Sequence, residues 1–296
     1  MEYVILDMEW DSAFFPPEKR FINQIIQIGA VKLDERFNII DTLDVTVHSS
    51  FSKRVSKRFT TLTGITKQMM LSGVSLEEGV KAFNEFVKNE PIIMTWSDSD
   101  LYTIVDNEKT ILKDLRFDIR KYVDLQKYIQ NELRLKGEEI KSQIALSGAA
   151  ELFSIKTDDF DLHTAKDDSI ICALLLKKCY NKERFSAYIK DATDPEFYKK
   201  LTFRAYYIKD INSPFIPREY LNFTCLDCKK PLVRKTSFNF HNNSLFATMY
   251  CENCDKEYIA RISARKTYDD VKLRKKLTLK KTQEEKDEVQ PLPEKV

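Results

Sequence analysis

The chain has 296 residues, 43% hydrophobic and 32% charged, with a formal net charge of +2. That composition can bury a core, which excludes a wholly disordered chain, and the length suits two compact units. The longest apolar run, Ile170 to Leu176, falls far short of the roughly 20 residues of a membrane span, so no membrane partner is expected. Tyr3-Val4-Ile5-Leu6-Asp7 enters a strand-like pattern with no basic leader before it, which predicts a cytoplasmic protein. Charge is unevenly spread: residues 221–282 hold 14 Lys/Arg against 6 Asp/Glu, whereas 283–296 hold 2 against 5. A small basic segment therefore follows a larger acidic one, which is either an ordinary solvated surface, the usual case, or a carboxylate-lined site joined to a polyanion-binding module.

Residues 3–10 read as a buried strand ending in acids. Residues 24–34 and 38–48 carry β-branched residues with partial alternation, and only Glu35-Arg36-Phe37 separates them, which predicts a hairpin. Ser75 with Glu78 forms a capping box ahead of Val80, Phe83, Phe86 and Val87 at helical spacing. A short strand is expected from Pro91 to Trp96, a helix from about Leu101, and a strand near 118–124. Helices are then expected over 125–135, 145–153 and 169–180. A three-strand meander followed by helix–strand alternation predicts an α/β domain over 1–182, with a mixed central sheet flanked by helices. Residues 183–220 are aromatic and charged and read as a helical connector. Residues 221–265 form a cysteine module, and 266–296 read as a charged, disordered tail.

Asp7 and Glu9 stand two apart on one strand, so both point to one face, at the strand end where α/β sheets place their sites. Adjacent carboxylates repel unless a hard divalent cation neutralises them. Taken alone, Asp7 and Glu9 read as a solvated strand end, and Asp100 and Asp168 each read as an ordinary cap before anything else. Of the three His, only His163 has an Asp five residues later, and it precedes an apolar helix. A His beside a metal-binding acid can take a proton from water near neutral pH.

Together these segments resemble a known family. Val4-Ile5-Leu6-Asp7-Met8-Glu9, Thr95-Trp96-Ser97-Asp98-Ser99-Asp100 and His163-Thr164-Ala165-Lys166-Asp167-Asp168 look like the three motifs of the DEDDh 3′→5′ exonucleases. This is the DnaQ-like branch of the ribonuclease H-like fold, here closest to its Eri-like and KapD-like members. Gln24-Ile25-Ile26-Gln27-Ile28-Gly29 resembles the family's second strand, and Leu62-Thr63-Gly64-Ile65 its substrate-side loop. The resemblance covers residues 1–180. It implies two Mg²⁺ or Mn²⁺ ions held by Asp7, Glu9, Asp100 and Asp168, with His163 as general base. It also implies that Met8, Trp10 and Leu62 contact the 3′ end of a single-stranded RNA or DNA. The family's spacing selects Asp100 over Asp98 and Asp168 over Asp167. Trp10 stands where many members have Thr, so it either stacks on a base or belongs to the core.

Cys225-Leu226-Asp227-Cys228 and Cys251-Glu252-Asn253-Cys254 are two CxxC pairs, which predict one structural Zn²⁺ in a Cys₄ ribbon and a reducing compartment. Cys172 and Cys179 lie seven apart on one helix face and read as core. The chain thus reads as a metal-dependent 3′→5′ exonuclease with a nucleic-acid-binding zinc ribbon. The alternative is a catalytically silent scaffold of the same fold that binds nucleic acid or protein.

Overall fold

The computed structural model describes residues 2–280 except 141, 158, 159, 161 and 162. The chain divides into two compact units, Met1–Thr202 and Phe203–Val296.

In the first unit, β1 (Tyr3–Phe15), β2 (Arg20–Leu33) and β3 (Ile39–Thr46) form the meander. Helices α1 (Lys57–Thr63), α2 (Lys67–Leu71) and α3 (Leu76–Phe86) follow. The capping box on α3 forms as expected, with Glu78 N–H donating to Ser75 Oγ and Ser75 N–H to Glu78. Next come β4 (Ile92–Thr95), α4 (Ser99–Asn107), β5 (Lys121–Asp124), α5 (Leu125–Leu135), α6 (Leu146–Leu152) and α7 (Ala165–Cys179). The sheet order is β3-β2-β1-β4-β5-β6, where β6 is Lys190–Asp191. Strands β1, β4 and β5 run parallel and the other pairs antiparallel. The mixed α/β architecture is the one expected.

Alternation along β1 sends Tyr3 and Ile5 into one apolar layer with Leu125, Ile129, Ile171 and Leu175. Val4, Leu6 and Met8 enter a second layer with Val80, Phe83, Leu101 and Ile104 on the opposite face. Strand β4 pairs with β1 only from Tyr3 to Ile5. From Asp7 onward that edge of β1 is therefore free of β4, and the groove described below opens there.

The expected connector over 183–220 does not exist as a separate piece. Phe185 of α8 (Lys182–Ser186) is buried against the α5–α7 layer, β6 pairs with β5, and Leu201 of α9 (Pro195–Thr202) is buried against the α3–α4 layer. Residues up to Thr202 belong to the first unit because their apolar side chains complete its two layers. From Phe203 the chain joins the second unit, with β7 (Tyr206–Tyr207) pairing to its sheet and Ile208, Ile216 and Phe223 in its core.

The second unit is built on β8 (Val233–Arg234), β9 (Asn239–His241), β10 (Ser244–Cys251), β11 (Lys256–Lys266) and β12 (Val271–Leu279). Asn242 and Asn243, both at positive φ, make the two-residue turn between β9 and β10, and His241 is exposed beside it. The expected tail is corrected by β12, which pairs with β11 over nine residues. Val271, Leu273 and Leu277 pack on the core while Lys272, Arg274 and Lys276 stay exposed, a period of two that the density of charge obscures. The part of the expected tail at 281–296 lies outside the described residues.

Candidate active site

Asp7 and Glu9 leave β1 on one face and meet Asp168 from the first turn of α7. These three each offer an oxygen within 4.8 Å of the others. Asp100, in the first turn of α4, is buried and its Oδ1 accepts the Met8 N–H at 3.1 Å. The competing Asp98 is tied elsewhere, accepting from the Tyr122 hydroxyl at 3.1 Å and Lys127 Nζ at 2.7 Å. Asp167 is adjacent to Asp168 but is not one of the three grouped oxygens.

Two features bring α7 onto the sheet. Thr164 caps the helix, its side chain accepting from Asp167 N–H, and Ala165 N–H donates to Gln27 Oε1 at 3.2 Å. Gly29 lies under the first turn: a Cβ there would stand 2.3 Å from the Ala165 carbonyl carbon and the Lys166 nitrogen. No other residue lets helix and strand approach so closely, and Asp168 is one turn away.

His163 is exposed, in left-handed backbone at φ 71°, at the mouth of the same groove. That groove, about 660 Å³, is lined by Asp7, Glu9, Asp168 and His163 and by Arg58, Phe59 and Leu62 of α1. The three substrate-side residues named from sequence all line it. They differ in character: the Met8 side chain is buried in the core, so its main chain is what it can offer. Trp10 is half-buried and packs partly on the α3–α4 layer, and Leu62 is exposed. Arg58 was missed. It sits in the basic run Lys53-Arg54-Val55-Ser56-Lys57-Arg58, and nothing in that run singles out the one that lines the groove.

The acids are electrostatically frustrated. Burial, then the charges of Asp100, Asp168 and Glu9, holds the Asp7 carboxyl well above its ordinary range. Burial with the charges of Asp168 and Asp100 pushes Glu9 up to about 8. Burial raises Asp100 to about 7, opposed by the backbone N–H groups of Asp100 and Met8. Asp168 is raised by burial and partly relieved by the charge and backbone N–H of His163. Oxygen donors crowded in this way, with repulsion that only a cation removes, fit hard divalent ions.

The consequence for stability has a definite sign. Carboxyls raised in the fold favour it fully below their unfolded values of about 4, and lose that contribution as pH climbs through the folded values. Protein dialysed free of divalent ions should therefore lose melting temperature steadily from about pH 5 to about pH 9. Mn²⁺ should restore it, most strongly at the alkaline end. A metal-free melting temperature that climbs across that range would contradict the electrostatics above.

The RNase_T family profile, described as an exonuclease, matches residues 16–176, more than half the chain. The chain belongs to the RNase_T exonuclease family. The matched span holds Asp100, His163 and Asp168, and it begins after Asp7 and Glu9 on β1. A DNA polymerase III of PolC type from Clostridium perfringens (strain 13 / Type A) is 27% identical over 190 residues, 64% of this chain and 12% of that one. The chain thus spans about an eighth of the length of the curated relatives it matches. A full-length 3′-exonuclease superposes with TM-score 0.53 at 19% identity, covering 66% of this chain and 91% of that one. The nuclease domain of 3′hExo, a DEDDh family member bound to rAMP, gives 0.51 at 22% identity, covering 60% and 90%. These likenesses carry the exonuclease fold.

In the second unit, the four ribbon cysteines each place Sγ within 4.8 Å of the others. The residue after each pair, Lys229 and Asp255, takes positive φ, so the two knuckles turn alike. The Tyr258 hydroxyl lies 3.2 Å from Cys225 Sγ and draws that thiol down to about 6. Its neighbour Cys228, then burial, pushes Cys254 up to about 12. Four sulfurs cannot all ionise side by side without a cation, and this set suits tetrahedral zinc. Cys172 and Cys179 are buried in the first unit's core, as expected.

Proposed function

We propose that this chain is a metal-dependent 3′→5′ exonuclease acting on single-stranded RNA or DNA, with two catalytic divalent ions and one structural zinc. A cytoplasmic location goes with this reading. The observation that carries it is the convergence of Asp7, Glu9 and Asp168, with Asp100 behind Met8, on a groove that His163 and Arg58 also line. Asp7, Glu9, Asp100 and Asp168 would hold Mg²⁺ or Mn²⁺. When bound, such ions supply Lewis-acid stabilisation of the attacking and leaving oxygens of the phosphodiester. His163 takes the proton of the attacking water on an imidazole nitrogen, and its exposed position lets that proton leave to solvent. Arg58 offers a guanidinium to the scissile or next phosphate. The main chain at Met8, the Trp10 ring and Leu62 hold the terminal nucleotide.

Stepwise shortening of 5′-labelled strands from the 3′ end, abolished by chelator, tests the reading; internal cuts or indifference to chelator would defeat it. His163→Ala should keep strand binding and lose rate by roughly 10²–10⁴-fold, the usual worth of a general base. Near-normal turnover in that variant would place the base elsewhere.

The second unit is read as the nucleic-acid-binding module. Purified protein should carry one zinc per chain by elemental analysis, and Cys225→Ser should lose it, because a tetrathiolate site closes only with all four sulfurs. Full zinc retention in that variant would remove the ribbon reading.

A further inference from the structure

We infer that one face of the β10–β11–β12 sheet, with β12 supplying most of its charge, is the surface that grips the phosphate backbone of nucleic acid, independently of base sequence. This rests on the reading of the second unit as a nucleic-acid-binding module and says where and how it binds.

The face follows from register. Arg265 lies opposite Lys272, Ser263 opposite Arg274, and Arg261 opposite Lys276, so these side chains share one side of the sheet. The intervening Tyr258, Ala260, Ile262 and Ala264 are buried on the other side. Five cations thus stand on two neighbouring strands, and all five are exposed. From residue 261 to 265 the strand rises about 14 Å.

Like charges placed directly opposite on a sheet destabilise it, and solvated faces usually alternate sign. Here the described residues form no ion pair with any of the five. Two other cations of this unit do find acids: Lys256 pairs with Asp227 at 2.9 Å and Lys280 with Glu257 at 2.6 Å. Glu257 is the one acid that β11 and β12 present, and it is already taken by Lys280. What this face lacks is an external polyanion.

The aromatic residues decide how it binds. Arg261 lies over the Phe246 ring, 5.7 Å from its centroid, and its Nε donates to Ser244 Oγ at 2.9 Å. Arg265 lies 6.0 Å over the Tyr207 ring. Each ring is covered by its own guanidinium, so it orients a cation and does not offer a bare platform to a base. Preorganised guanidiniums with three flexible cations beside them suit phosphates, which carry no sequence information.

The test uses the full-length protein and fluorescence anisotropy of 5′-labelled 20-residue oligo-dT and oligo-dA without added divalent ions, across a salt series. No cleavage is needed, so a protein that cuts nothing still answers. The triple variant Lys272→Ala/Arg274→Ala/Lys276→Ala should bind both strands more weakly and to the same degree. Its log–log salt slope should shrink by roughly 2, at roughly 0.7 per lost phosphate contact. Zinc content and the melting curve, read on the same sample, confirm an intact fold. A parallel variant, Lys229→Ala/Lys230→Ala/Lys235→Ala, removes the cations at the knuckle end. If that set shrinks the slope and the β12 set does not, the module reading survives and this face is wrong. If neither does, both fall. A β12 variant that loses phosphatidylserine vesicles but keeps oligonucleotides would assign the face to membranes and overturn the proposal.

Discussion

Asp7→Asn should reduce exonuclease turnover by more than about 10³-fold while raising the melting temperature of the metal-free protein. The loss exceeds the roughly 10–100-fold typical of removing a group that only orients a metal ligand. Asp7 is one of the three acids whose oxygens converge, and it shares its surroundings with all the others. The gain in stability has the same origin. Burial and three neighbouring carboxylates oppose its charge, and an uncharged amide of the same shape relieves them all. Calorimetry with and without Mn²⁺ checks both halves: the wild type should show a large metal-induced shift and the variant little. An active Asp7→Asn protein, or one that melts lower without metal, would contradict the proposed site.

Gly29→Ala should be nearly as damaging from outside the groove. The new Cβ would meet Ala165 and Lys166 backbone atoms at 2.3 Å and the Ala165 Cβ at 2.7 Å, and backbone yields only by moving the helix. Overpacking of this kind costs about 1–3 kcal/mol. Activity should fall by about 10²-fold, the usual result of misplacing a reacting group by roughly 1 Å, because Asp168 and His163 flank the displaced turn. Gly79→Ala is the control. Its Cβ would meet the side-chain ends of Ile28 and Val47 at 3.1 and 3.2 Å, which can shift by a few tenths of an ångström. Equal activity losses in the two variants would mean that crowding at Gly29 is not specific to the site.

The acids and His163 are legible in sequence because the chemistry needs those residue types in a set order, and order survives in a linear string. Gly29 appears there only as part of a strand resemblance, since its reason is the backbone of a helix 136 residues further on. Arg58 is hidden among three neighbouring cations, Lys53, Arg54 and Lys57, for only the turn of α1 decides which one lines the groove. The unit boundary moved from 182 to 202 because Phe185 and Leu201 are claimed by layers built from distant elements. Strand β12 escaped because Leu-Arg-Lys-Lys-Leu reads as a solvated charge run until β11 supplies the partner edge.

The late position of α7 has a consequence for synthesis. Asp7 and Glu9 leave the ribosome before His163 and Asp168, which follow more than 150 residues later. At roughly 5–20 residues per second, the first two acids wait on the order of ten seconds for the others. Through that interval a nascent chain holds neither the proposed base nor the acid that closes the group with Asp7 and Glu9. A chain stalled short of α7 beside a messenger RNA therefore carries an incomplete site, and competence arrives only when the helix settles over Gly29.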